Sequence, residues 1–216
     1  KFPSGNDEWN IGAWEMVAFT IASDAGIRVS SVMAKQFSGK HHTFLNKRFD
    51  RNEKGERIHF ASAMTLLGYN DGADHHAGVS YLELAEFIMQ NGSHVDEELK
   101  ELWKRIVLNI CIKNTDDHLR NHGFLLTDAG WILSPIYDVN PFPDGTGLTL
   151  NISEDDNALD PGLALSVAGY FRLKEKEATA IIEQIESAVS NWRKIAQDIG
   201  ISKQEQAIME PAFITG

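Results

Sequence analysis

The sequence predicts a mainly helical domain with a few short strands. Three observations carry this. At least five segments repeat apolar residues three and four apart, the period of an α-helix. The strand-like runs are short and fall in two places, near residues 29–50 and 124–138. The 216 residues are 43% hydrophobic and 24% charged, which supports a sizeable core in one large domain or two small ones.

In chain order, "EWNIGAWEMVAFTIASDAGI" predicts an amphipathic helix with Ile11, Trp14, Val17, Ala18, Ile21 and Ala25 inward and Gly26 as its C-terminal cap. "VSSVMAKQF" and "HHTFLNKRFD" read as two strands joined by a turn at Ser38-Gly39-Lys40. Residues 51–58 are polar and loop-like, "HFASAMTLLGY" predicts a short helix, and "YNDGADHHAG" a loop. In "SYLELAEFIMQNG", Ser80 with Glu83 three residues on is a capping box. "DEELKELWKRIVLNICI" carries acids in its first turn and Leu99, Leu102, Ile106, Ile110 and Cys111 on one face. "FLLTDAGWILSPIYD" predicts a hairpin turning at Asp128-Ala129-Gly130, and "KEKEATAIIEQIESAVSNWRKIAQDIG" one long helix closed by Gly200.

Composition excludes several classes. A net charge of −11 lacks the basic footprint of a non-specific nucleic-acid binder. Cys111 is the single cysteine, so no intrachain disulfide forms and nothing points to an oxidising compartment; it reads as a buried, inert thiol. No apolar run approaches the roughly 20 residues that span a bilayer. The opening "KFPSGNDEWN" reads as the interior of a longer chain.

The chemistry concentrates in "NTDDHLRNHG", residues 114–123. The strongest helix ends there, a hairpin follows, and Asp138 comes after the hairpin. That order returns Asp138 towards Asn121 and brings Asp116, Asn121 and Asp138 together. Phosphoryl transfer from ATP needs a carboxylate to orient the acceptor hydroxyl and take its proton. It also needs a second carboxylate and an amide oxygen to hold magnesium, a hard cation. The spacing alone fits a capped, solvated turn equally well.

With its flanks, this segment closely resembles the HipA family, bacterial serine/threonine protein kinases that include toxins of toxin–antitoxin pairs. The family pattern T-D-x-H-x-[KR]-N, hairpin, P-x-Y-D is filled by Thr115, Asp116, His118, Arg120 and Asn121, then Pro135, Tyr137 and Asp138. "KRFDR" (47–51), "KFPS" (1–4) and "LALSVAGYFRL" (163–173) extend the likeness over nearly the whole chain.

The resemblance implies a helical large lobe, residues 51–216, with residues 1–50 ending an N-terminal lobe through a small β hinge. It implies ATP and Mg2+ as cofactors. Asp116 would orient and deprotonate the hydroxyl, and Asn121 and Asp138 would hold the metal. Lys1 would reach the phosphates with Glu15 as its ion-pair partner, and the backbone near Lys47 and Phe49 would meet adenine. His118 would orient the loop and Arg120 would face phosphate or substrate. The resemblance also implies a cytoplasmic protein with an antitoxin partner, a protein substrate of the translation machinery, and no direct nucleic-acid contact from this lobe.

One departure matters: nothing here supplies the family's glycine-rich phosphate loop. "DGTGL" (144–148) follows Asp138 and reads as a plain turn. The pairs His41-His42 and His75-His76 read as loop or strand histidines rather than metal ligands, and Asp117 and His122 as the least informative members of the cluster. Two other functions stand beside the kinase. One is a metal-dependent phosphohydrolase using Asp116, Asp117, His118, His122 and Asp138. The other is a non-catalytic pseudokinase binding module.

Overall fold

The structure, a computed structural model, describes residues 1–5, 7–37 and 39–214. Helix α1 (Ile11–Asp24) ends where its cap predicts. Gly26 is left-handed (φ +70°). Ile27 N–H donates to Ala22 O (2.9 Å) and Gly26 N–H to Ser23 O (3.0 Å), closing the helix in a Schellman motif.

Strands β1 (Val32–Lys35) and β2 (Thr43–Asn46) pair antiparallel, Val32 opposite Asn46. Both are shorter than their sequence runs. One reason is local: His42 N–H donates to Asn10 Oδ1 (2.7 Å) instead of joining the ladder. Ser38, in the expected turn, lies outside the described residues. On the other edge of β2, Lys1 and Phe44 exchange backbone bonds of 2.7 and 3.0 Å. The lysine is therefore anchored to the sheet.

The segment 59–69 is not all helix. Phe60–Ser62 forms strand β3 and only Ala63–Leu67 forms helix α2. β3 pairs with β4 (Gly123–Thr127), which pairs with β5 (Gly130–Leu133), so the predicted hairpin recruits a third strand. Ser62 caps α2 by accepting from Thr65 N–H (3.3 Å). This tertiary partner overrides the helical pattern.

Helix α3 (Tyr81–Asn91) has the Ser80–Glu83 capping box. Helix α4 (Val95–Cys111) runs through the centre and packs against α3, α5 (Pro161–Ser166) and α6 (Glu175–Ser190). The expected single late helix is two, α6 and α7 (Trp192–Ile199), broken at Asn191. The break lets Trp192 turn inward, where it stacks on Phe213 at 4.3 Å and meets Trp14 at 6.1 Å. Short α8 (Lys203–Met209) completes this end; its Glu205 accepts from the Trp14 indole (2.9 Å).

One hydrophobic core runs through residues on both sides of position 50. Among the described residues no helix is long and apolar enough to cross a membrane. Cys111 is fully buried, and burial pushes its thiol up to about 12. The folded protein is therefore expected to resist a thiol reagent that labels it promptly in denaturant; rapid native labelling would contradict this burial.

Candidate active site

The site is set from inside α4. Glu98, Glu101, Arg105 and Asn109 recur three and four apart and are all buried, so this core helix carries a polar ridge. The ridge grips the chain after the hairpin. Glu98 Oε2 accepts from Leu133 N–H (2.8 Å), and Arg105 donates to Ser134 O (2.7 Å). Arg28 joins by donating to Leu133 O (2.8 Å) and pairing with Glu98 (3.0 Å).

Glu101 accepts from Arg105 at 2.7 Å and from Arg28 N–H at 3.0 Å. Burial raises its carboxyl, but Arg105 and Arg28 together outweigh burial and hold it below the usual 4.5. A carboxyl lowered in the fold stabilises above its unfolded value and loses that contribution as pH falls through its folded value. Glu101→Gln is therefore expected to be less stable than wild type at neutral pH. The gap should narrow as pH falls below 4.5, read by denaturant melts across pH.

The end of the ridge holds the polar loop. Asp117 Oδ2 accepts from Tyr81 OH (2.6 Å) and Asn109 Nδ2 (2.7 Å), and His122 Nε2 lies 2.7 Å away. All four residues are buried. Asn114 donates to Asn109 Oδ1 (3.0 Å) and accepts from Asn140 N–H (3.2 Å), tying in the segment after Asp138. Asp117 and His122, set aside in the sequence, are the loop's anchor. Polar residues at helical spacing in the same helix as a long apolar face were the available signal.

With Asp117 turned inward, Asp116 faces outward into a cleft of 520 Å³ that Lys1 and Asp138 also line, with Trp9, Trp14 and Phe142 among its apolar walls. Lys1 Nζ lies 2.6 Å from Asp138 Oδ1 and 3.1 Å from Glu15 Oε2. Burial alone would lower the lysine, but Glu15 and then Asp138 outweigh it and raise it. Glu15 itself is raised by burial, which Lys1 only partly offsets. Asp138 is left-handed (φ +55°), a conformation that aspartate and asparagine tolerate best among non-glycine residues.

Asn121 is buried, and its Nδ2 donates to Asp116 O (3.1 Å), bracing the loop. Tyr137 OH donates to Arg120 O (2.5 Å), which joins the residue before Asp138 to the residue before Asn121. The donors offered by Asp138 and by the Asn121 amide oxygen are hard oxygens, the chemistry that suits Mg2+. Lys47 and Phe49 line a neighbouring cavity of 300 Å³ with Phe60 and Tyr137. The Phe49 ring is 5.8 Å from Phe60 and 5.5 Å from Tyr137, an aromatic surface of the kind that stacks a flat base.

His118 and Arg120 sit elsewhere. They line a separate cavity of 140 Å³ with Asp71 and Asp74. Arg120 pairs with Asp71, and its side chain lies 3.0 Å from His118 Nε2. His122, through Asp117, holds the loop from the buried side. Gly145, in the "DGTGL" turn, packs against the loop: a Cβ there would meet Thr115 Cγ2 at 2.3 Å. Among the described residues, three-ligand proximity of His, Cys, Asp or Glu occurs at Asp74, His75 and His76, not at the set the hydrolase reading needs.

A lysine held by a helical glutamate, facing an outward aspartate and a second aspartate after a hairpin, is a kinase-type layout. A family model described as the HipA-like C-terminal domain matches residues 1–192, and the chain belongs to that family. A Haemophilus influenzae protein named "Putative kinase" is 30% identical over 63% of this chain and 43% of its own length. The fold matches HipA of Shewanella oneidensis MR-1, solved with HipB and operator DNA, at a TM-score of 0.75 and 17% identity. That match covers 95% of this chain and 54% of the other. It also matches the Helicobacter pylori proinflammatory kinase CtkA, at a TM-score of 0.58 and 14% identity, over 98% of this chain and 87% of the other. The chain thus spans about half the length of the first two.

Proposed function

We propose that this chain is the catalytic lobe of an ATP- and Mg2+-dependent kinase acting on serine or threonine of a protein. The observation that carries this is the Lys1 ammonium, held between Glu15 and Asp138 in the cleft that Asp116 enters. Lys1 positions the phosphates, and the Phe49 cavity receives the base. Asp116 orients the acceptor hydroxyl and takes its proton. Asn121 and Asp138 hold magnesium, which when bound neutralises phosphate charge. Most of the rate enhancement then comes from positioning and fixed charge.

In this reading residues 1–50 end the N-terminal lobe, and the segment at 47–49 is the hinge. The Shewanella neighbour was solved with HipB as a toxin–antitoxin system, which supports an antitoxin partner and a toxin role here; a cytoplasmic location is part of the same proposal. A protein of the translation machinery, such as an aminoacyl-tRNA synthetase, is the substrate class we favour. The net charge of −11 leaves any operator contact to the partner.

The test is incubation of the full-length protein with γ-labelled ATP and Mg2+ in a cell extract, followed by phosphoamino-acid analysis. Label on phosphoserine or phosphothreonine is expected. Label released only as inorganic phosphate would overturn the kinase reading in favour of a hydrolase.

A further inference from the structure

We infer that Asp74, His75 and His76 form a second metal site, for a divalent transition-metal ion of the zinc class. The three residues lie between α2 and α3, where His75–Ala77 makes a single 3-10 turn. One ligand atom from each of the three side chains lies within 4.8 Å of the other two.

The turn alone does not produce this convergence. With three residues per turn, successive side chains point about 120° apart. Here the two imidazole centroids are instead 3.9 Å apart, folded to one side. His75 Nδ1 is buried and has no hydrogen-bond partner, although buried ring nitrogens normally find one. Asp74 uses Oδ1 to accept from His76 N–H (2.9 Å), which leaves its other oxygen for a ligand.

The donor set names the metal. Two imidazoles and one carboxylate suit zinc, cobalt or nickel, whereas magnesium and calcium prefer all-oxygen shells. Ligands of a four-coordinate zinc with bonds near 2.1 Å sit about 3.4 Å apart, so the three atoms must close slightly. His76 is exposed, so a rotation of its ring would close the gap. Three protein ligands leave a fourth position for water.

An ion here would stiffen one wall of the catalytic loop's surroundings. His75 N–H donates to Thr149 O (2.8 Å), and Thr149 Oγ1 donates to Thr115 O (2.6 Å), one residue before Asp116. Asp71, in the same loop, pairs with Arg120. The site is nonetheless separate from the cleft of Lys1 and Asp138 and does not rest on the kinase reading.

The test uses full-length protein stripped with a chelator. It is titrated with Zn2+ by calorimetry and with Co2+ by visible absorption, with Mg2+ as a control. One equivalent of Zn2+ should bind, raise the thermal midpoint and give a four-coordinate Co2+ spectrum. His75→Ala and His76→Ala should each weaken binding by at least about tenfold. His76 is exposed, so its replacement leaves the fold intact, which a circular-dichroism melt verifies. Asp138→Asn and the His41→Ala, His42→Ala pair should bind as wild type. No saturable Zn2+ binding, binding that survives His76→Ala, or binding lost with His41 and His42 would each overturn the site.

Discussion

Asp117→Ala is expected to destabilise the protein by about 3–5 kcal/mol, the cost of removing one member of a buried charged network. The reason lies in the partners left behind. Tyr81 OH, Asn109 Nδ2 and His122 Nε2 all converge on Asp117 Oδ2, and none of them is exposed to water that would replace it. Each orphaned group carries a desolvation penalty of about 1–3 kcal/mol. Asp117→Asn keeps an acceptor oxygen and should cost clearly less. Urea denaturation of the two variants beside wild type checks both statements. An alanine variant within about 1 kcal/mol of wild type would show that the network does not hold the loop.

The second large effect is on rate. Asp138→Asn is expected to lower phosphate transfer by about 10³-fold or more. Asparagine tolerates the left-handed backbone at this position, so the change removes charge without adding strain. It also removes the carboxylate 2.6 Å from Lys1 Nζ. The loss should therefore show in the chemical step and in the magnesium dependence, while the melting curve stays close to wild type. A variant that transfers phosphate at the wild-type rate would remove Asp138 from the metal site.

How much of this the sequence disclosed depended on the kind of signal. Periodicity located α1, α3 and α4, because each buries an apolar face whose spacing is local to the helix. The Gly26 cap was legible for the same reason, since a left-handed glycine after an apolar run has a local cause. Strand β3 was not legible: three residues pair only because β4 returns beside them, a non-local event hidden under a helical pattern. The break at Asn191 was likewise invisible, because it serves the Trp192–Phe213 stack rather than any local breaker.

The candidate site divides in the same way. The D-x4-N spacing and the later Asp138 were readable as a motif, and the pairing of Lys1 with Glu15 followed from the resemblance. Which of two adjacent aspartates faces inward was not readable. Asp116 and Asp117 have the same chemistry, and Tyr81 and Asn109, 36 and 8 residues away from Asp117, decide it together with His122. The separation of His118 and Arg120 from the cleft has the same origin, since Asp71 draws the arginine towards another loop.

In the proposed division of labour, Asp116 acts on the acceptor hydroxyl and Asp138 acts through magnesium. This division is tested most directly by measuring Mg·ATP binding and phosphate transfer together in full-length wild type, Asp116→Asn and Asp138→Asn. Asp116→Asn is expected to bind Mg·ATP as wild type does yet transfer almost no phosphate, and Asp138→Asn to lose both. Transfer that survives both substitutions would contradict this division.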